Sequence, residues 1–291
     1  MRVRRAVTVL VTTSAVLVGG FSASQAQAAA PPVPSITAAG GFVMNNTTGT
    51  TLFGKAADTR RATGSTTKIM TAKVVLAQRG LNLDAKVTIQ KAYSDYIVSK
   101  NASSARLIVG DKVTVRQLLY GLMLPSGCDA AYALADKFGT GSTRAARVKS
   151  FIGKMNDEAR RMGLRNTHFD SFDGISNGAN YSTPRDLTRI ASSAMQNSTF
   201  RGIVRTKSTT QKVTTKTGGY RNMAWTNTNK LLSTYSGAIG VKTGSGQLAK
   251  YCLVFAATRG NKTVIGAVLA SPSETNRASD VKKLLDYGFA K

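Results

Sequence analysis

The sequence predicts an α+β fold, an α/β sandwich with a five-stranded antiparallel sheet built from both chain ends, flanked by helices and joined to an inserted helical region. Three observations predict it. Strand-like apolar runs bounded by turn residues sit near the start of the chain and again near its end. The long middle carries apolar residues at helical spacing behind recognisable helix starts. No internal repeat or low-complexity stretch interrupts the pattern.

The first 29 residues stand apart from this plan. Arg2, Arg4 and Arg5 precede an apolar stretch from Ala6 to Phe21, and small residues close it at Ala26-Gln27-Ala28. A basic start, an apolar core too short for a bilayer and a small-residue end mark a secretory signal peptide, with cleavage expected near Ala28 or Ala29. Residues 30–291 are expected to bury a substantial core as one elaborate domain or two intimately packed ones, with a sheet region at about 36–64 and 236–291 and a helical region at about 65–235. No later run is apolar enough to span a membrane, and the chain stops at Lys291 directly after an apparent helix with no amphipathic tail. A secreted, monomeric protein that is soluble or loosely held at its cell surface is expected.

Within that domain, Phe42 to Asn45 and Thr51 to Lys55 read as strands joined by an Asn46-Thr47-Thr48-Gly49 turn. Thr114 and Gln117 form a capping box before Leu118, Leu119 and Leu122, and Thr183-Pro184-Arg185-Asp186 is a helix start with proline at its first position. Phe151, Met155, Ala159 and Met162 recur at helical spacing and stop at Gly163, as a core-facing stripe does. Ala238 to Val241, Lys250 to Ala257 and Lys262 to Ala270 supply three more strands, and Ala278 to Phe289 a closing helix.

Composition excludes several function classes. The formal net charge is +26, and the three signal-peptide arginines account for three of it, leaving +23 on residues 30–291. Such a charge seeks polyanions. Nucleic acid is not the expected one, because an exported protein meets little of it and the Lys and Arg residues are scattered rather than clustered with aromatics. The only cysteines are Cys128 and Cys252, too few for a disulfide scaffold. They could pair, but Cys252 sits in a strand-like run and Cys128 at a helix start elsewhere, which favours free thiols. One histidine, His168, and two distant cysteines cannot build a zinc site, so neither metal nor cofactor is expected. His168 reads as a structural hydrogen-bonding residue, and no Gly-x-Ser-x-Gly elbow is present for a Ser-His-Asp hydrolase.

The chemistry points elsewhere. Ser65-Thr66-Thr67-Lys68 follows Gly64 and opens an apolar-periodic stretch, which puts Ser65 at a helix N-terminus with Lys68 one turn on and on the same face. A serine hydroxyl needs a base to take its proton. A lysine amine can be that base only when deprotonated, which burial, the positive end of a helix and a second cation all favour. The pattern by itself is cheap: Ser279-Asp280-Val281-Lys282 matches it inside the closing helix. Two further segments follow in order. Leu124-Pro125-Ser126-Gly127-Cys128-Asp129 lies between helices, and Lys242-Thr243-Gly244-Ser245 follows the Ala238 to Val241 strand. Second copies, Ser99-Lys100-Asn101 and Lys216-Thr217-Gly218, lack the matching surroundings, and the latter lies in a polar surface stretch.

Arg61-Ala62-Thr63-Gly64-Ser65-Thr66-Thr67-Lys68-Ile69-Met70-Thr71-Ala72 closely resembles the active-serine segment of the low-molecular-weight penicillin-binding proteins, the serine-type D-alanyl-D-alanine carboxypeptidases and transpeptidases. The Ser126 and Lys242 segments resemble that family's second and third motifs, and the likeness extends through Asn166-Thr167-His168-Phe169 and Asp286-Tyr287-Gly288-Phe289. The resemblance implies a DD-peptidase/β-lactamase-like fold, peptidoglycan D-Ala-D-Ala stem peptides as substrate and β-lactams as covalent inhibitors. It implies Ser65 as nucleophile, Lys68 as its base, Ser126 as proton carrier to the leaving amine and Lys242 as the added cation. Thr243 and Arg277 would meet the substrate carboxylate, Gly244 would allow close backbone approach, and the N–H groups of Ser65 and Ser245 would form the oxyanion hole. Cys128 stands where the family usually has asparagine; a thiol grips a substrate amide more weakly, which bears on hydrolysis against transfer. Anionic wall polymers or a membrane surface are the polyanions such a protein would meet.

Two other readings compete. A class A-like β-lactamase needs a glutamate to activate the deacylating water, and the only glutamate between Ser126 and Lys242 is Glu158, in an amphipathic stretch. A non-catalytic, basic wall-binding protein would keep the fold and never be acylated.

Overall fold

Strands from the two chain ends share one sheet, because neither set can cover its own faces alone. The computed structural model describes residues 6, 8–10, 31–176 and 178–291. The expected signal peptide, 1–29, lies outside these apart from residues 6 and 8–10.

The chain enters through β1 (Gly40–Asn45) and β2 (Thr51–Lys55), whose turn is closed by Asn45 Oδ1 accepting from Thr47 N and by Gly49 at φ +74°. A 3₁₀ turn at Gly64–Thr67 then leads into α1 (Lys68–Leu76). Beyond it come β3 (Lys86–Thr88), α2 (Lys91–Lys100), β4 (Lys112–Thr114), α3 (Val115–Met123), α4 (Cys128–Phe138) and α5 (Arg144–Arg161). The chain continues through α6 (Pro184–Ala194), α7 (Ser198–Arg205), β5 (Ser208–Thr214), β6 (Tyr220–Thr226) and the single turn α8 (Leu231–Thr234). It ends in β7 (Ala238–Gly246), β8 (Lys250–Arg259), β9 (Lys262–Ser271) and α9 (Glu274–Ala290).

The five-stranded antiparallel sheet has the order β2-β1-β9-β8-β7. Its central strands β1, β9 and β8 are buried on both faces and read as near-continuous apolar runs, whereas in the edge strand β2 only Phe53 is buried. Along β1, Phe42 and Met44 face the helical core with Ile265 and Ala267, while Val43 faces the other way with Val264, Val268 and the α9 residues Val281, Leu284 and Leu285. Buried Asp280 of α9 accepts from Thr37 N, Thr37 Oγ1 and Ala38 N, clasping the start of the domain to its last helix. The Ser279-Asp280-Val281-Lys282 pattern is therefore structural.

Helix α1 is buried on nearly every side, Lys68 included, and packs against α3, α4, α5 and α6. Local signals place the helices around it. The Thr114/Gln117 capping box opens α3, Thr183 caps α6 with Pro184 at its first position, and Gly163 follows α5 at φ +69°.

Four differences from the sequence reading have physical causes. Ser65 lies in the 3₁₀ turn before α1 rather than in its first α-helical turn, because Gly64 at φ +50° tightens the entry. Strand β7 runs to Gly246 rather than ending at Val241, so all of Lys242-Thr243-Gly244-Ser245 continues the same strand, at the cleft edge expected for Lys242. The closing helix starts at Glu274, capped by Ser273 Oγ accepting from Asn276 N. The middle also holds a second antiparallel sheet of order β3-β4-β5-β6. Its first two strands are three residues long with one apolar residue each, Val87 paired with Val113, and β5 reads as the polar run Ser208–Thr214. The Lys216-Thr217-Gly218 copy is the turn of the β5–β6 hairpin.

Candidate active site

The nucleophile turn and the edge strand β7 are pressed together through two glycines. A β-carbon on Gly64 would lie 2.8 Å from Ser245 O, and one on Gly244 would lie 2.7 Å from Thr63 O. No larger residue fits either place, so Ser65 and Ser245 are brought side by side at the mouth of the cleft.

Lys68 projects from the start of α1 and is completely buried. Its Nζ lies 2.8 Å from Ser65 Oγ, 3.0 Å from the Asp173 carbonyl oxygen and 3.3 Å from Cys128 Sγ. None of these partners is a carboxylate. Lys242, 1% exposed, points in from β7, its Nζ donating to Thr243 O at 3.2 Å. Burial, and after it the positive charge of Lys68, pushes the Lys242 amine well below the ordinary lysine value, with the Cys128 thiol partly opposing.

Ser126 and Cys128 come from the loop between α3 and α4. Ser126 sits at φ +67°, and its Oγ is buried without a hydrogen-bond partner among the described residues. The loop is held by Asp129, whose carboxylate accepts from Ala105 N, Leu107 N and Ser104 Oγ, and by Ser103 Oγ donating to Ser126 O. Cys128 N donates to Ser103 O. Thus Cys128, not Ser126, contacts Lys68. Burial raises the Cys128 thiol above its ordinary value against the pull of Lys68, which keeps it protonated. Cys128 and Cys252 are both free and buried, so the pairing left open by the sequence is not made.

Two connected hollows meet at Ser65. One, of about 630 Å³, lies between Asn101, Gly174 and Asn180 on one side and Gly246 to Ala249 on the other. The second, of about 360 Å³, holds Ser126, Thr243, Gly244, Tyr251 and Arg277. Arg277, on α9, is buried beneath Tyr251, its Nη1 donating to Cys252 O at 3.4 Å and its Nη2 lying 3.5 Å from Glu274. Thr243 Oγ1 is 2.6 Å from Thr228 Oγ1. The structure therefore gathers Ser65, Lys68, Ser126, Cys128, Lys242, Thr243, Gly244, Ser245 and Arg277 around one cleft.

A profile of the peptidase S11 family, D-alanyl-D-alanine carboxypeptidase, matches residues 25–273. The chain belongs to the D-alanyl-D-alanine carboxypeptidase family. It is 72% identical over 291 residues, the whole of both chains, to a D-alanyl-D-alanine carboxypeptidase of Streptomyces sp. strain K15. It is 32% identical to the DacF carboxypeptidase of Bacillus subtilis over 84% of this chain and 60% of that one. The crystal structure of the Streptomyces K15 DD-transpeptidase superposes with a TM-score of 0.89 at 77% identity, covering 90% of this chain and 100% of that one. A D-alanyl-D-alanine carboxypeptidase of Mycobacterium tuberculosis H37Rv does so at 0.77 and 29% identity, covering 91% of this chain and 95% of that one. The chain is accordingly a serine-type DD-carboxypeptidase/transpeptidase acting on peptidoglycan D-Ala-D-Ala.

The β-lactamase reading is not favoured. Glu158 lies on α5, paired with Lys73 at 3.0 Å and with Arg161, and lines neither hollow. Sequence reasoning missed Ser103, Asp173, Asn180 and Thr228, which support the cleft. Each is a lone polar residue in a loop, and only Asn101 lay within a recognised pattern, the Ser99-Lys100-Asn101 copy.

Proposed function

We propose that Ser65 carries the acyl group and that Lys68 takes its proton. The observation that carries this reading is the buried Lys68 amine 2.8 Å from Ser65 Oγ, with no carboxylate paired to it among the described residues. Ser65 Oγ attacks the carbonyl of the penultimate D-alanine as its proton passes to Lys68 Nζ. The carbonyl oxygen becomes an oxyanion held by the N–H groups of Ser65 and Ser245. The C–N bond then breaks, and D-alanine leaves with a proton from the Ser126 hydroxyl, which has no partner among the described residues and is free to meet the leaving nitrogen; the proton Lys68 gained is returned to Ser126 when that hydroxyl turns toward the amine. Thr243 and Arg277, which line the second hollow, provide the positive, hydrogen-bonding end that receives the substrate carboxylate, with Lys242 buried behind them. Water, or an amine from a neighbouring stem peptide, resolves the ester, and β-lactams acylate Ser65 as substrate mimics.

The enzyme is proposed to be secreted as a monomer after loss of residues 1–29. Its strong positive charge supports loose adhesion to anionic wall polymers or a membrane surface. Fluorescent penicillin followed by intact-mass and peptide analysis tests the assignment. A single adduct on the Ser65 peptide is expected, and Ser65→Ala should abolish both adduct and release of D-alanine; turnover retained in Ser65→Ala would refute the role.

A further inference from the structure

The Lys68 amine is held by more than its catalytic neighbours. Of its three partners only the Asp173 main-chain oxygen is a pure acceptor, so Lys68 must always donate one N–H to it. With a second N–H directed at Cys128 Sγ, the neutral amine is left with its lone pair facing the Ser65 hydroxyl. The aim of that carbonyl therefore sets the aim of the base.

What aims the carbonyl is a buried side-chain latch. Asp173 is completely buried and makes no ion pair among the described residues. Its carboxylate accepts from Tyr96 Oη at 2.9 Å and from Ile175 N at 2.9 Å, closing a turn over residues 173–175. The preceding carbonyl, Phe172 O, accepts from Thr71 Oγ1, one helical turn beyond Lys68 on α1. Gly174, at φ +93°, packs so tightly on the nucleophile turn that a β-carbon there would lie 1.9 Å from Gly64 O. Tyr96 itself is fixed from α2, its ring edge-on to Tyr132 at 5.3 Å and tilted on Phe172 at 5.6 Å. Burial, then the Asp173 carboxylate, raises the phenol far above its ordinary value, so Tyr96 remains a donor at every working pH.

We infer that Tyr96 and Asp173 are positioning residues for the base. The phenol holds the carboxylate, the carboxylate holds the turn, and the turn presents its carbonyl to Lys68. This rests on the reading that Lys68 deprotonates Ser65.

The test is a mutant cycle read by β-lactam acylation, separating the non-covalent dissociation constant from the acylation rate constant. Tyr96→Phe keeps the ring packing and removes only the hydroxyl. Its acylation rate constant should fall between about tenfold and a hundredfold, with the dissociation constant unchanged. Asp173→Ala should fall by a similar factor, and Tyr96→Phe/Asp173→Ala together should fall no further than the worse single variant, since both break one latch. Asp173→Asn, which can still bond Tyr96, should restore most of the rate. Rate constants within twofold of the unaltered protein in Tyr96→Phe, losses that multiply in the double variant, or a fall shared equally by binding and acylation would each overturn the inference. Absence of any Ser65 adduct in the unaltered protein is a separate result and overturns the underlying assignment as well.

Discussion

Gly64 and Ser245 touch across the cleft with no room between them: the nearest atom to a β-carbon on Gly64 would be the Ser245 carbonyl oxygen, at 2.8 Å. This contact sets the two N–H groups proposed as the oxyanion hole beside one another. Gly64→Ala combines that clash with a left-handed φ of +50°. The strain is about 1–3 kcal/mol, and either the turn or β7 must shift. Acylation by penicillin should fall by about 10²-fold, the scale of losing one oxyanion donor, while the melting temperature falls only modestly. An unchanged acylation rate in a folded Gly64→Ala protein would count against the oxyanion assignment.

Lys242 makes a pH-dependent contribution to stability. Its folded value lies well below 10.5, so between that value and 10.5 the unfolded chain binds a proton that the folded chain does not. Stability from this group therefore rises with pH across the window and is lost as pH falls through the folded value. Lys242→Met should flatten the alkaline rise of the unfolding midpoint measured between neutral pH and pH 10. The same slope in both proteins would show that Lys242 is not the group responsible.

The thiols should be silent. Cys252 is pushed up to about 11 by burial, and Cys128 is raised by the same cause. A thiolate-directed reagent at neutral pH is expected to modify neither residue in the native protein and both after denaturation. Rapid native modification would mean that the cleft opens far enough to expose Cys128.

Cys128→Asn replaces a weak hydrogen-bonding group with an amide that both donates and accepts. Acylation should stay measurable, and the division of the acyl-enzyme between water and an amine acceptor such as glycine should change. Identical product ratios for the two proteins would remove Cys128 from any role in that division.

The motif residues were legible because each announces its geometry locally. Ser65 and Lys68 sit one turn apart behind a glycine, and Lys242 to Ser245 continue an apolar strand. The five-stranded sheet was legible for the same reason, since burial on both faces makes the middles of its central strands apolar. What could not be seen is held by tertiary context. Val87 and Val113 make a strand pair only because the β5–β6 hairpin supplies the rest of the second sheet. Asp173 looks like any loop aspartate until α2 brings Tyr96 to it. Cys128 was placed at a position for substrate contact, whereas its nearness to Lys68 depends on how the Ser103–Leu107 segment folds over Asp129.

The pairing of β1 with β9 carries a consequence for how the molecule is made. A lone β1–β2 hairpin is marginal in water, and the edge of β1 away from β2 is satisfied only by residues about 220 positions later, as in Phe42 opposite Ala267. An emerging nascent chain thus has no partner for that edge until ribosomal synthesis is nearly finished. The five-stranded sheet should therefore stay open until β9 has been made, and close as a late, single event.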